Sequence, residues 1–185
     1  LILFSAVIIF FQAGTLDFTA GGFLSGRAPA AFVPLLFALL LLGFGVKAAI
    51  MPIHEWLPSA MIAPTPVSAL LHAVAVVKAG VFGCLRVILY IFGPDLLDGL
   101  GVWAFFAFLA SFTVLAAGLI ALGQDNLKRR LAFSTINSLA VMILGALLLS
   151  RGGITGGILH LANHGFLKIT LFFCAGAIYV KTRKE

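Results

Sequence analysis

Six apolar segments of membrane-spanning scale follow one another with short joins, at about 1–12, 31–61, 64–92, 100–123, 131–150 and 155–180. A lipid bilayer offers no water to backbone N–H and C=O groups, so such segments must satisfy them internally, as helices. The chain is therefore predicted to be an all-α membrane protein, a polytopic transmembrane helix bundle forming one domain over 1–185. Composition closes off the soluble alternative. Of the 185 residues 62% are hydrophobic and 10% charged, against roughly 25% charged in an ordinary soluble domain. The chain starts with Leu1 in the middle of an apolar run and shows no signal-peptide pattern, so it is expected to be a piece of a longer protein.

The second segment differs from the others. Its apolar run ends at Pro52 and resumes as the short stretch His54-Glu55-Trp56-Leu57 before Pro58 and the Pro64-Thr65-Pro66 turn. Proline removes a helical hydrogen bond and clashes with the preceding turn, so the helix is predicted to break near residues 48–53. Irregular backbone at membrane depth is tolerated where it is buried in protein or lines a water-filled cavity, and it marks ion sites in transporters.

Basic residues set the orientation. Lys128, Arg129 and Arg130 follow the fourth segment and Lys181, Arg183 and Lys184 follow the sixth, whereas the opposite side receives Arg27, Arg151, Asp95 and Asp98. The positive-inside bias predicts that the 124–130 loop and the C-terminal end face the cytoplasm, in a bacterial or archaeal cytoplasmic membrane. The same clustering accounts for the net charge of +6 without nucleic acid.

Four basic residues fall inside segments. Lys47, Lys78 and Lys168 stand at or beside the centres of the second, third and sixth, where an ammonium group costs roughly 2.5–3.5 kcal/mol on insertion scales. Desolvation disfavours the charged form of such a group, which suits a residue that must take up and give back a proton. Arg86, about two turns from the outer end of its segment, is expected to reach the interface as an anchor. His160, His164 and Lys168 follow an i, i+4, i+8 spacing and so share one helical face. Histidine changes charge near neutral pH without large tuning, so this stripe suits a proton relay. His72 lies six residues before Lys78 on a different face, and a water or a neighbouring helix would have to join them. Ser134, Thr135, Asn137 and Ser138 in the fifth segment are expected to bond across helices.

Three rival readings account for fewer of these residues. A metal at His160 and His164 lacks a carboxylate or thiol partner. Sodium requires oxygen ligands that these lysines do not supply. A haem held by His72 and His164 leaves the three lysines unexplained. Cys84 and Cys174 show no CxxC spacing, and no GxGxxG or phosphate loop occurs, so no cofactor and no redox centre are expected in this chain.

The motifs together resemble a known family. GVKAAIMP at 45–52, WLPSAM at 56–61, APTPVSALLHA at 63–73, VKAG at 77–80, DNLKRRLAFST at 125–135 and HLANHGFLK at 160–168 are similar to the antiporter-like proton-conducting membrane subunits. That family includes the large membrane-arm subunits of complex I, membrane-bound hydrogenases and Mrp-type cation/proton antiporters. The resemblance implies a bundle of inverted five-helix repeats, each with a buried lysine beside a broken helix. It makes Lys47 the pumping lysine of the first repeat, Lys78 the central connecting lysine, and His72, His160, His164 and Lys168 members of a hydrated axis. It also implies that the glutamate partnering Lys47 belongs upstream and that the terminal ionisable residue of the second repeat belongs downstream. The expected function is a proton-translocating subunit of a redox-driven complex, with a Mrp-type sodium/proton antiporter subunit as the alternative. The expected partners are other membrane subunits, the bilayer, and protons or sodium.

Overall fold

The break expected in the second segment organises the molecule. A computed structural model describes residues 1–182 except 28, 30 and 74, with the backbone alone at 72 and 73. Helix α1 (Ile2–Ala13) and helix α2 (Val33–Lys47) come first, and α2 stops at Lys47, five residues before Pro52. Ala49 takes a left-handed conformation with φ 54°, and turns carry the chain to the single-turn helix α3 (Trp56–Ser59). Other elements satisfy the backbone groups released there. The Trp56 indole donates to the Val46 carbonyl at 2.8 Å, and the Thr113 hydroxyl accepts from the Met51 N–H at 3.2 Å. Thr113 is fully buried, so Thr113→Val keeps the shape but strands the Met51 N–H. That variant is expected to lose about 1–3 kcal/mol, seen as a lower melting temperature with unchanged helix content.

The third segment contains an interruption that its sequence does not announce. Helix α4 (Thr65–Ala73) and helix α5 (Val76–Arg86) meet at Ala75, where φ −94° and ψ −82° leave the α-region and the N–H bonds five residues back, to Leu70. A π-helical turn over Val87–Phe92 then ends at Gly93. Gly93, with φ 82°, and Gly22, with φ 91°, bring two backbones together so closely that a Cβ on either would overlap the other strand of chain. This contact lets the Phe23 and Leu24 N–H groups donate to the Tyr90 and Ile91 carbonyls.

The remainder is regular. Helix α6 (Pro94–Leu100) opens with proline, which is suited to a first helical turn. Helix α7 (Trp103–Leu122), helix α8 (Leu127–Leu147) and helix α9 (Arg151–Thr182) follow. The Asn126 side chain caps α8 by accepting from the Arg129 N–H at 3.1 Å. Among the described residues, four helical stretches are long and apolar enough to cross a bilayer: Thr65–Phe92, Trp103–Leu122, Leu127–Leu147 and Arg151–Thr182. Helices α1 and α2, with 12 and 15 residues, are shorter.

Neighbouring helices run antiparallel, α7 against α8, α8 against α9 and α4 against α9. Lys128, at the start of α8, lies 5.9 Å from the Tyr179 ring near the end of α9 and donates to the Met61 carbonyl. The 124–126 turn, the end of α9 and the 60–62 turn therefore share one end of the bundle. Large exposed side chains such as Phe11, Phe105, Phe108, Leu119 and Phe166 coat the sides, as lipid-facing helix surfaces require.

Candidate functional site

Helix α9 carries the expected stripe, and its neighbours complete the site. Lys168 is 1% exposed and His164 is 3% exposed, and the His160 and His164 rings lie 5.9 Å apart between centroids. Helix α8 flanks this stripe and α4 packs against α9 as well. From α8 the Leu131 carbonyl accepts from Lys168 Nζ at 3.1 Å and the Ser134 hydroxyl accepts at 2.9 Å. The Leu131 carbonyl also accepts from the Thr135 hydroxyl, and the Ser138 hydroxyl donates to the Ser134 carbonyl.

Lys78 enters from α5. It is half-buried in the first turn after the interruption at Ala75, and its Nζ donates to the Leu161 carbonyl of α9 at 2.7 Å. Leu161 precedes Lys168 by two turns, so the two ammonium groups are anchored about 10 Å apart along α9, with His164 between.

Both ammonium groups are held by neutral oxygens. The described acids are Asp17, Glu55, Asp95, Asp98 and Asp125, and among the described residues none of them pairs with Lys78 or Lys168. A lysine kept for structure in a low-dielectric interior is ordinarily neutralised by a carboxylate. Here the loss of a proton breaks no ion pair. Nor do the described residues hold any group of three His, Cys, Asp or Glu side chains with metal-binding geometry.

Lys47 departs from the sequence-based expectation. It was expected to be buried at a segment centre, whereas here it is exposed and lies across α5 from α9. The reason is helical phase. Lys78 and Gly80 are two residues apart, hence about 200° apart around α5, so Lys78 turns to α9 while Gly80 meets α2. A Cβ on Gly80 would stand 2.9 Å from the Lys47 Cβ, and one on Gly83 would fall into the Phe44 ring. Helix α5 is thus a partition between Lys47 and the α9 row. The side chain of His72 lies outside the described residues. The register set by Thr65 against Gly176 and Lys78 against Leu161 puts its backbone level with Lys168.

Arg86, expected to anchor at the interface, has aromatic partners that the sequence did not indicate. Its guanidinium is stacked among Phe18, Phe82 and Tyr90, at 5.0, 5.0 and 4.7 Å from their ring centroids. Sequence reasoning also missed the partners of the lysines. Two are backbone carbonyls, which have no residue signature; the third, the Ser134 hydroxyl, is one of the groups expected to bond across helices, without a named partner.

Known proteins share this arrangement of helices. Residues 1–185 match the family described as NADH:quinone oxidoreductase/Mrp antiporter, TM. The chain is 38% identical over 170 residues to NAD(P)H-quinone oxidoreductase chain 5 of Synechocystis sp., covering 91% of this chain and 24% of that protein. It is 43% identical over 150 residues to F(420)H(2) dehydrogenase subunit L of Methanosarcina mazei, covering 77% of this chain and 21% of that one. Among solved structures, the Mrp complex from Dietzia sp. DQ12-45-1b superposes with a TM-score of 0.82 at 29% identity, covering 97% of this chain and 20% of that chain. The chain therefore spans about a quarter of the length of the curated relatives it matches.

Proposed function

Since the chain belongs to the NADH:quinone oxidoreductase/Mrp antiporter transmembrane family, we propose that it is part of a subunit that moves protons across the membrane, driven by redox chemistry in partner subunits. The observation that carries this reading is the holding of Lys78 and Lys168 by neutral oxygens on either side of His164. A proton leaving the Lys78 ammonium passes to a ring nitrogen of His160 or His164, and the other ring nitrogen releases one toward Lys168. Each lysine ends neutral after giving its proton and charged after receiving one. Where two groups stand too far apart for direct transfer, a bridging water completes the step.

Lys47 serves a separate station in this scheme. It exchanges with the row around α5 rather than through it, at the depth of Gly80. The 124–130 loop and the C-terminal end face the cytoplasm of a bacterial or archaeal cell, a reading supported by the basic residues Lys128, Arg129, Arg130 and Lys181 at that end. Partners are the other membrane subunits of a respiratory-type complex, and the chain itself contributes no cofactor site.

The test is ion uptake by sealed vesicles that hold the full-length protein in its native complex, with proton and sodium signals followed separately. Lys78→Ala is expected to reduce proton uptake to the passive leak in complexes that still assemble. Unchanged proton uptake in an assembled variant overturns the relay. The likeness to the Mrp complex supports a second reading, sodium exchange by the whole protein. Sodium movement that disappears along with proton uptake in Lys78→Ala favours that reading. The row offers sodium no carboxylate, so its site would belong to other parts of the full protein.

A further inference from the structure

The Arg86 side chain lines a cavity of about 300 Å³ whose other walls are apolar, among them Ile2, Ala6 and Ile9 of α1 and Leu40 and Phe44 of α2. Among the described residues, the contacts that stabilise the guanidinium charge are aromatic. The faces of Phe18, Phe82 and Tyr90 stabilise its charge, but none of the three contacts is a hydrogen bond from its five N–H donors. No ion pair with Asp17, the acid nearest to Phe18 in sequence, forms, and that carboxylate instead accepts from the Thr15 hydroxyl. Arg86 also stands at the end of the bundle opposite Lys128, two turns short of Gly93, within reach of the headgroup layer.

An apolar cavity roofed by a cation with unused donors has the two-part chemistry of one ligand class. We propose that this cavity binds an anionic phospholipid, the phosphate accepting from the Arg86 guanidinium and one acyl chain entering between α1, α2 and α5. Guanidinium suits phosphate because its planar fork offers parallel N–H donors. The aromatic rings hold that fork in place before the lipid arrives. A zwitterionic lipid carries a phosphate too, but its own ammonium competes for it, so the site discriminates by net charge. Gly83 contributes from α5: having no side chain, it lets the Phe44 ring lie against that helix and shape the inner wall. The site lies apart from Lys78, Lys168 and the histidines, and it does not depend on the proton-transfer reading.

The experiment uses the full-length protein in its native complex, purified and stripped of loosely held lipid. Copurifying phospholipid is counted by mass spectrometry, and the melting temperature is followed while phosphatidylglycerol, phosphatidylcholine or inorganic phosphate is added. Wild type is expected to retain an anionic lipid and to melt higher with phosphatidylglycerol alone. Arg86→Gln is expected to weaken that lipid about fivefold. Ala6→Leu fills the cavity while leaving the guanidinium intact, and it is expected to lower lipid retention as well; it carries the test if Arg86→Gln fails to assemble. Unchanged lipid content in either assembled variant overturns the site. So does an equal response to phosphatidylcholine, or a response to inorganic phosphate that matches the lipid.

Discussion

Lys168→Met is expected to stop proton uptake while the complex assembles with near wild-type stability. Methionine matches the length and flexibility of the lysine stem, so the buried volume on α9 stays filled. The groups that lose the ammonium are not left stranded. The Leu131 carbonyl keeps the Thr135 hydroxyl as a donor at 2.8 Å, and the Ser134 hydroxyl can turn to a carbonyl of its own helix, as Ser138 does. Removing a buried charge also removes its desolvation cost. Loss of transport in Lys168→Met therefore reports on the pathway and not on folding. Ser134→Ala is the graded companion. It removes one of the two acceptors of Lys168, a hydrogen bond to a charged group worth about 1.5–3 kcal/mol. Uptake in that variant is expected to fall about tenfold to a hundredfold if the whole cost appears in the slow step. Full uptake in an assembled Lys168→Met complex would mean that the α9 row is structural.

Gly80→Ala is expected to lower stability and transport together. A Cβ there would stand 2.5 Å from the Ala48 backbone nitrogen and 2.7 Å from the Lys47 carbonyl carbon. Those atoms belong to the end of α2, which is latched by the Trp56 indole and the Thr113 hydroxyl and cannot yield as a flexible side chain would. Helix α5 must move off α2, at an overpacking cost of about 1–3 kcal/mol. The same displacement shifts Lys47, so proton uptake is expected to fall along with the melting temperature. Gly99→Ala is the control. Nothing lies within 4 Å of its added Cβ, and it sits in α6, where alanine favours the helix by roughly 0.5–1 kcal/mol. Equal melting temperatures for the two variants would refute the close α2–α5 contact.

The class of fold was legible because the bilayer leaves a chain so little choice. Apolar runs imply helices, and Pro52 marks the break that ends α2 at Lys47. The α9 stripe was legible for a similar reason, since an i, i+4, i+8 spacing needs no knowledge of neighbours. The interruption at Ala75 was not legible, because no proline or glycine stands at 73–77. The exposure of Lys47 was not legible on a related ground. Its place near a segment centre gives its depth, whereas burial depends on which face of α5 turns toward it. The oxygens that hold Lys78 and Lys168 lie 83, 37 and 34 residues away in sequence. The aromatic cage of Arg86 draws Phe18 from a distant join. Such pairings follow from helix register alone.

The length of α9 fixes one thing more. Its 32 residues extend about 48 Å, well beyond a hydrocarbon core of roughly 30 Å. Arg151 stands at one end and Lys181 near the other. A vertical slide of more than about 7 Å in either direction would pull one of these cations toward the acyl chains. The helix is thereby moored at both faces of the membrane, with Lys168 about 21 Å from one end and about 26 Å from the other. A longer piston stroke is disfavoured. On the proton-transfer reading, a larger change in which side of the membrane reaches the row is expected to come from the helices around α9 and not from α9 itself.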